Sequence, residues 1–303
     1  MTARLLDVIE TKDVLGEGPV WNPRDQRLWW TDIQSRRLRR LDPATRQVET
    51  IDTPERVGAI AFIEERSDRM LVAFETGIAL FDPTGGAVEW LHRSETLGSG
   101  RRYNDGRTDR QGRFWVGTMV EDPAKVGAST AHLWRLDGAG PAVACAEGIG
   151  ISNSLALSPD GRTLYFADTP TRRIEAFDLD VDTGVLSGRR VFAQVERGSP
   201  DGSGMDSEGC LWNARWGGGA VVRHAPDGRE IAVIETAASQ PTCVAFGGPD
   251  QRWMFVTSAS DGLTPEQSRA ESAAGDVFIF ELDTPGLAEP AFRLGGPRSG
   301  SGN

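Results

Sequence analysis

Lysine, histidine and cysteine are scarce in this chain of 303 residues. Lys12 and Lys125 are its only lysines, and His92, His132 and His224 its only histidines. The three cysteines, Cys145, Cys210 and Cys243, form an odd and widely spaced set. That set excludes a disulfide framework and a CxxC metal site, and fits a reducing compartment. Basic charge is also short: 33 Lys and Arg stand against 44 Asp and Glu, a net charge of −11. Such a field repels phosphate backbones, and no basic cluster offsets it, so nucleic acid is excluded as a partner class. No apolar run approaches the roughly 18 residues of a membrane span. The N-terminus lacks an apolar signal core and a small-residue cleavage site, which predicts a cytoplasmic protein. There is no GxSxG elbow, no P-loop and no GxGxxG opening a helix. The histidines share no common position in the pattern described next, which argues against a His-based triad or metal site.

What the chain has is glycine, at 36 residues, and tryptophan, at 9. Many glycines among spaced aromatics predict many tight turns between short strands. The turns NPRDQR, EERSDR, DRQGR, SPDGR, DSEG and GPDQR each precede a hydrophobic pair, beginning at Leu28, Met70, Phe114, Leu164, Leu211 and Trp253. These pairs are 42, 44, 50, 47 and 42 residues apart. A third apolar segment and an Asp-containing turn often follow, as in RIEAFDLD. A period of about 40–50 residues built of strands is that of four-stranded propeller blades. The prediction is an all-β, six-bladed β-propeller in one domain over residues 1–292, with a Gly/Ser-rich flexible tail at 293–303. Residues 4–9 are expected to add a strand to the last blade and so remove a free edge. Residues 263–274 are expected to hold one or two helical turns in a loop. Closed propellers of this kind are expected to be monomeric.

The polar residues fall at a repeated place. Glu17 and Asn153 lie 11 residues before their hydrophobic pairs, and Asn104 and Asp201 lie 10 before theirs. The other two repeats carry Ala59 and Thr242 at that offset. Equal offset in a repeat means equal radial position, here the first and innermost strand of each blade. Asx-turns before strands are common, but four coincidences point to one shared polar site at a channel mouth. Two like charges there require neutralisation. One divalent cation supplies it, and oxygen ligands suit Ca²⁺, Mg²⁺ or Mn²⁺. Zn²⁺ or Fe²⁺ is less typical of such a set.

Other signals read as structural. DLDVDTG at 178–184 has Arg189 where a calcium loop needs a bidentate Glu, so it is read as a strand end and hairpin turn. Trp29, Trp115, Trp134, Trp212 and Trp253 are expected to pack between blades, with Trp21 and Trp216 nearer the channel rim. The cysteines are read as small buried residues.

Four segments resemble the senescence-marker-protein/gluconolactonase/regucalcin family of sugar lactonases. They are LGEGPVWNP at 15–23, RYNDGRTDRQGRFWVGTM at 102–119, SNSLALSPDGRTLYFADT at 152–169 and SPDGSGMDSEGCLWNARWGGGAVVRHAPDG at 199–228. They occur in the family's order and, with the sequence around them, extend the resemblance over roughly residues 13–283. The resemblance implies a six-bladed propeller with a divalent metal held by Glu17, Asn153 and Asp201. It implies sugar-hydroxyl contacts from Arg102 and Asn104. An acidic substrate contact follows the GTM segment, with spacing favouring Asp122 and Glu121 the alternative. The chain departs from the family in having Ser154 where Gly usually follows the Asn.

The activity so implied is hydrolysis of a sugar aldonolactone, gluconolactone-like or a pentonolactone, to its sugar acid. Asp201 is the candidate general base, the metal a Lewis acid, and Arg102, Asn104 and Asp122 the groups that orient the ring. Two other readings stand beside it. One is a related metal-dependent phosphotriesterase or other lactonase. The other is a calcium-binding regulatory propeller without turnover, which would need no Arg102/Asn104 pair.

Overall fold

The computed structural model describes residues 2–298. Its strands form six four-stranded antiparallel sheets, the blades of a six-bladed β-propeller. In chain order, blade 1 comprises Gly16–Asn22, Arg27–Asp32, Arg37–Asp42 and Gln47–Asp52. Blade 2 comprises Val57–Phe62, Met70–Phe74, Gly77–Phe81 and Val88–Arg93, and blade 3 Arg101–Thr108, Phe114–Val120, Ala131–Leu136 and Ala142–Ile149. Blade 4 comprises Ser152–Leu157, Thr163–Asp168, Arg173–Leu179 and Leu186–Gln194, and blade 5 Ser199–Met205, Leu211–Trp216, Ala220–His224 and Glu230–Glu235. Blade 6 takes Pro241–Gly247, Trp253–Ser258 and Val277–Leu282 from the end of the chain, and Ala3–Ile9 from its start. The N-terminal strand runs antiparallel to Val277–Leu282, with Ala3 opposite Leu282 and Ile9 opposite Val277. It covers the edge of Val277–Leu282 and becomes the outer strand of the blade. The loop expected to be helical holds one short helix, Pro265–Ala270, with Thr264 and Gln267 forming a capping box. No helix among the described residues is long and apolar enough to cross a membrane.

The chain divides into two compact units, each of three blades. One unit runs to Arg56 and resumes over Ala193–Ala288, holding blades 1, 5 and 6; the other is Val57–Phe192 with the segment from Glu289, holding blades 2, 3 and 4. In the first unit, Trp212, Phe246, Met254 and Phe278 pack blades 5 and 6 together, and Trp30, Phe255 and Ile279 pack blades 6 and 1. In the second, Tyr103, Leu80, Phe114 and Phe292 join blades 2 and 3, and Trp115, Leu155 and Phe166 join blades 3 and 4.

The repeated turn has a physical cause. In blade 3, Asp109 accepts the Arg113 amide at 2.9 Å and the Trp115 indole N–H at 3.0 Å. In blade 5, Asp206 accepts the Cys210 amide at 3.0 Å and the Trp212 indole at 2.9 Å. One carboxylate thus closes the turn and fixes a core tryptophan six residues on. The 178–184 segment is a turn in which Asp180 accepts the Asp182 and Thr183 amides at 3.0 and 2.9 Å. Buried Arg113 of the neighbouring blade donates to its Val181 and Asp182 carbonyls at 2.8 Å.

Trp21 differs from expectation. It is buried and stacks on Phe255 with ring centroids 5.5 Å apart, inside the core between blades 6 and 1. Beyond Phe292, the Arg293 amide donates to Gly112 at 3.0 Å and the Leu294 amide to Glu65 at 3.1 Å. The rest of the expected tail, residues 299–303, lies outside the described residues. Cys210 and Cys243 are buried, Cys145 is half-buried, and all three are free thiols.

Candidate functional site

Each first strand shifts register by one residue against its second strand. The shifts fall between Glu17 and Val20, Val57 and Ala59, Tyr103 and Gly106, Asn153 and Ala156, Pro200 and Ser203, and Pro241 and Cys243. A bulge of this kind re-aims a side chain and is common beside active sites. Glu17, Asn104, Asn153 and Asp201 all sit at these bulges, and all four are buried. The equal offset read from the sequence is therefore one recurring backbone feature.

In the unit of blades 2, 3 and 4, five side chains form a hydrogen-bonded chain. Glu121 Oε1 accepts from Arg102 Nε at 3.0 Å. Arg102 Nη1 donates to Asn104 Oδ1 at 2.6 Å. Asn104 Nδ2 donates to Asn153 Oδ1 and to the Ser152 carbonyl, each at 2.9 Å. Asn153 Nδ2 donates to Thr169 Oγ1, also at 2.9 Å. Arg102 and Asn104 are two residues apart on one strand, which puts them on one face. Arg102 is 3% exposed and Asn104 6%, so the charge-assisted bonds lie away from bulk water. The donors fix the Asn153 amide with its oxygen toward Asn104, and that oxygen keeps a second lone pair. The backbone at Ser154 is left-handed, with φ +61° on a fully buried side chain.

The acidic neighbour of Arg102 is Glu121. Asp122 instead accepts the Lys125 amide at 3.2 Å as N-cap of the short helix Pro123–Val126. Asp105, between Asn104 and Gly106, accepts the Leu155 amide at 2.8 Å. Burial pushes its carboxyl above the usual range although Arg107 is nearby.

In the unit of blades 1, 5 and 6, Glu17 Oε2 accepts the Gly18 amide at 3.1 Å. Gly18 has φ +54°, a left-handed turn that glycine adopts without strain. Asp201 follows Pro200, and its carbonyl accepts Asn213 Nδ2 at 2.7 Å. Gly202 leaves no room for a side chain, since a Cβ there would lie 2.2 Å from Cys243 Sγ.

Thr169, Ser152 and Asn213 hold the candidate residues; they lie within the family-like segments but stand apart from the repeated offset. Cross-strand register is the signal that finds Thr169, because Asn153 faces Ala167, two residues before it.

Among the described residues no three His, Cys, Asp or Glu side chains stand together as a metal cluster. The expected ligand set holds only two of those residue types, Glu17 and Asp201, with an amide oxygen as the third donor. Buried carboxylates with an amide oxygen are donors for a hard cation, and buried carboxylates are stabilised by one.

Six repeats of one strand pattern, with buried polar side chains at the bulges of the first strands, define a six-bladed β-propeller. The chain belongs to the SMP-30/gluconolactonase/LRE-like family, whose model matches residues 15–260. It is 38% identical to a 6-deoxy-6-sulfogluconolactonase of Pseudomonas putida, over 96% of this chain and 99% of that protein. It is 35% identical to a pentonolactonase of Haloferax volcanii, covering 94% and 96% of the two chains. The crystal structure of a calcium-binding protein, regucalcin, from Agrobacterium tumefaciens superposes with a TM-score of 0.89 at 36% identity, covering 97% of this chain and 98% of that one.

Proposed function

We propose that this protein hydrolyses a sugar lactone to its sugar acid with the help of one divalent cation. The observation that carries the reading is the Glu121–Arg102–Asn104–Asn153 chain of hydrogen bonds. A guanidinium, a carboxylate and an amide in one row suit the vicinal hydroxyls of a sugar ring. Relatives named for lactones of a sulfogluconic acid and of pentonic acids support the substrate class.

Glu17, Asn153 and Asp201 would hold the cation, which when bound supplies Lewis acidity toward the lactone carbonyl. Arg102 and Asn104 orient ring hydroxyls, and Glu121 accepts a hydroxyl proton in a hydrogen bond; this positioning lowers the barrier. In this role Glu121 replaces Asp122, whose carboxylate caps a helix. Asp201 takes a proton from water as its oxygen bonds to the carbonyl carbon. The acyl–oxygen bond of the ring then breaks, and the proton passes from Asp201 to the departing ring oxygen. The product is the open sugar acid.

The kinship with regucalcin supports a second reading, a calcium-binding propeller without turnover. A pH-indicator assay on gluconolactone, xylonolactone, arabinolactone, galactonolactone and a 6-sulfonated lactone separates the two. Chelated protein is restored with Ca²⁺, Mg²⁺, Mn²⁺, Zn²⁺ or Fe²⁺ in turn, and spontaneous hydrolysis is subtracted. Cation-dependent turnover that Asp201→Ala abolishes, in a variant with the parent's circular dichroism, upholds the lactonase. Tight binding of Ca²⁺ without turnover on any lactone upholds the calcium binder.

A further inference from the structure

A pocket of about 360 Å³ lies between blades 2 and 3, apart from the Glu121–Asn153 network. It is lined by Tyr103, Trp134, His132, Leu97, Arg101 and Glu147, among others. Side chains alternate along a strand. Arg101 and Tyr103 therefore point away from Arg102 and Asn104, toward blade 2. The main network and this pocket sit on opposite faces of one strand.

The hydroxyls of Ser94, Thr118 and Thr130 are taken up by hydrogen bonds within the protein, but that of Tyr103 is not. Tyr103 is 1% exposed, and its hydroxyl has no hydrogen-bond partner among the described residues. Arg101 Nη1 donates to the Thr130 carbonyl at 3.1 Å, but its Nε is buried without a partner. That nitrogen is closed off from the pocket, whereas the Tyr103 hydroxyl lines it, and a ligand that pairs an unpartnered hydroxyl is favoured. The Trp134 ring supplies an apolar face, with the His132 ring 5.5 Å away and the His92 ring 6.2 Å away. Arg101 and Glu147 contribute one charge of each sign. That balance suits a neutral ligand better than an anion. Pockets for small ligands run from about 300 to 1,000 Å³, so this one fits a single small ring.

We propose that this pocket is a second, non-reacting carbohydrate site that takes one neutral monosaccharide. Trp134 and His132 would pack on the C–H face of the ring, while Tyr103, Arg101 and Glu147 pair with its hydroxyls. None of these residues belongs to the proposed lactonase machinery, so the two readings fail separately.

The test is a titration of the ¹⁵N-tryptophan-labelled protein with D-glucose and with D-xylose, neither of which is a lactone. Trp134→Phe identifies the Trp134 indole signal by deleting it. That signal should shift saturably with at least one of the sugars. Tyr103→Phe should weaken binding about 2- to 10-fold, the effect of one neutral hydrogen bond. Arg101→Gln is the second variant should Tyr103→Phe not fold, and it too should weaken binding. Arg102→Gln, on the opposite face, should leave the shift unchanged. The proposal is overturned if neither sugar moves the Trp134 signal saturably. It also falls if the folded pocket variants bind as the parent does, or if Arg102→Gln abolishes the shift. A protein inactive on every lactone that still shows the Trp134 shift would sink the lactonase reading and leave this site standing.

Discussion

Asn104 Nδ2 stands 2.9 Å from Asn153 Oδ1, so the amide proposed to touch the sugar also orients the amide proposed to touch the cation. Groups that orient a metal ligand commonly change affinity about 10- to 100-fold when lost. Asn104→Asp puts a carboxylate oxygen where a donor was, facing an oxygen. Cation affinity should fall by about that factor, measured by competition with a chromogenic chelator. A rise in KM with unchanged cation affinity would restrict Asn104 to the substrate.

Glu121 and Asp122 are adjacent but differently placed. Glu121 meets Arg102 at 3.0 Å with its side chain 25% exposed, whereas Asp122 caps a four-residue helix. Glu121→Gln removes the charge from a charge-assisted bond and should raise KM for the best lactone about 10-fold or more. Asp122→Ala should leave KM unchanged and cost about 1 kcal/mol of stability, the usual value of a lost cap. The reverse ranking in steady-state kinetics would assign the acidic contact to Asp122.

What could be read from the sequence follows from which interactions are local. In blades 3 and 5, Asp109 and Trp115, and Asp206 and Trp212, are bonded six residues apart, and in blade 1 Asp25 meets Trp29 four residues on, so these turns are held by local contacts that leave a mark in the sequence. The bulges lie at a constant distance from those turns, which is why Glu17, Asn104, Asn153 and Asp201 shared an offset. Choices made by packing were not legible. Spacing favoured Asp122 over Glu121, yet the carboxylate beside Arg102 depends on how the chain leaves the strand Phe114–Val120 and starts the helix at Pro123. Trp21 sits near a polar motif but is claimed by Phe255, a residue 234 positions away. The pocket beside Tyr103 needs the Ser94–Leu97 loop of the preceding blade, which no motif announces.

Ser154 holds φ +61° with its side chain fully buried. A left-handed backbone costs a non-glycine residue about 1–2 kcal/mol, while glycine loses about 0.5–1 kcal/mol more entropy on folding. The two nearly cancel, so Ser154→Gly should stay within about 1 kcal/mol of the parent in urea unfolding. Ser154→Val adds β-branching at a left-handed position and should cost about 2 kcal/mol or more. A Ser154→Val protein as stable as the parent would show that the backbone relaxes there, with Asn153 moving beside it.

His224 is fully buried, and its Nε2 lies 2.6 Å from Arg215 Nη2. A guanidinium only donates, so Nε2 must be the acceptor. The ring is then neutral, with Nδ1–H donating to the Gly228 carbonyl at 2.9 Å. Glu230 reaches the same Arg215 Nη2 at 3.2 Å. Burial is the main force lowering the His224 pKa below its ordinary value of 6.5, with Arg215 adding to it and Gly228 and Glu230 opposing. Burial likewise pushes the Arg215 pKa down to about 10, far enough from neutrality to leave it charged. The sign follows from where the proton binds first. Below about pH 6.5 the unfolded chain takes up a proton at His224 that the folded protein refuses. The stabilisation is complete above that pH and is lost as pH falls toward the lower folded value. The slope approaches about 1.4 kcal/mol per pH unit for one proton. Urea titrations at successive pH values between neutrality and the carboxylate range should show the parent losing stability faster than His224→Gln, which keeps a hydrogen-bonding side chain but cannot titrate. Parallel curves for the two proteins would mean that His224 already carries its proton in the folded state, with the Arg215 contact rearranged.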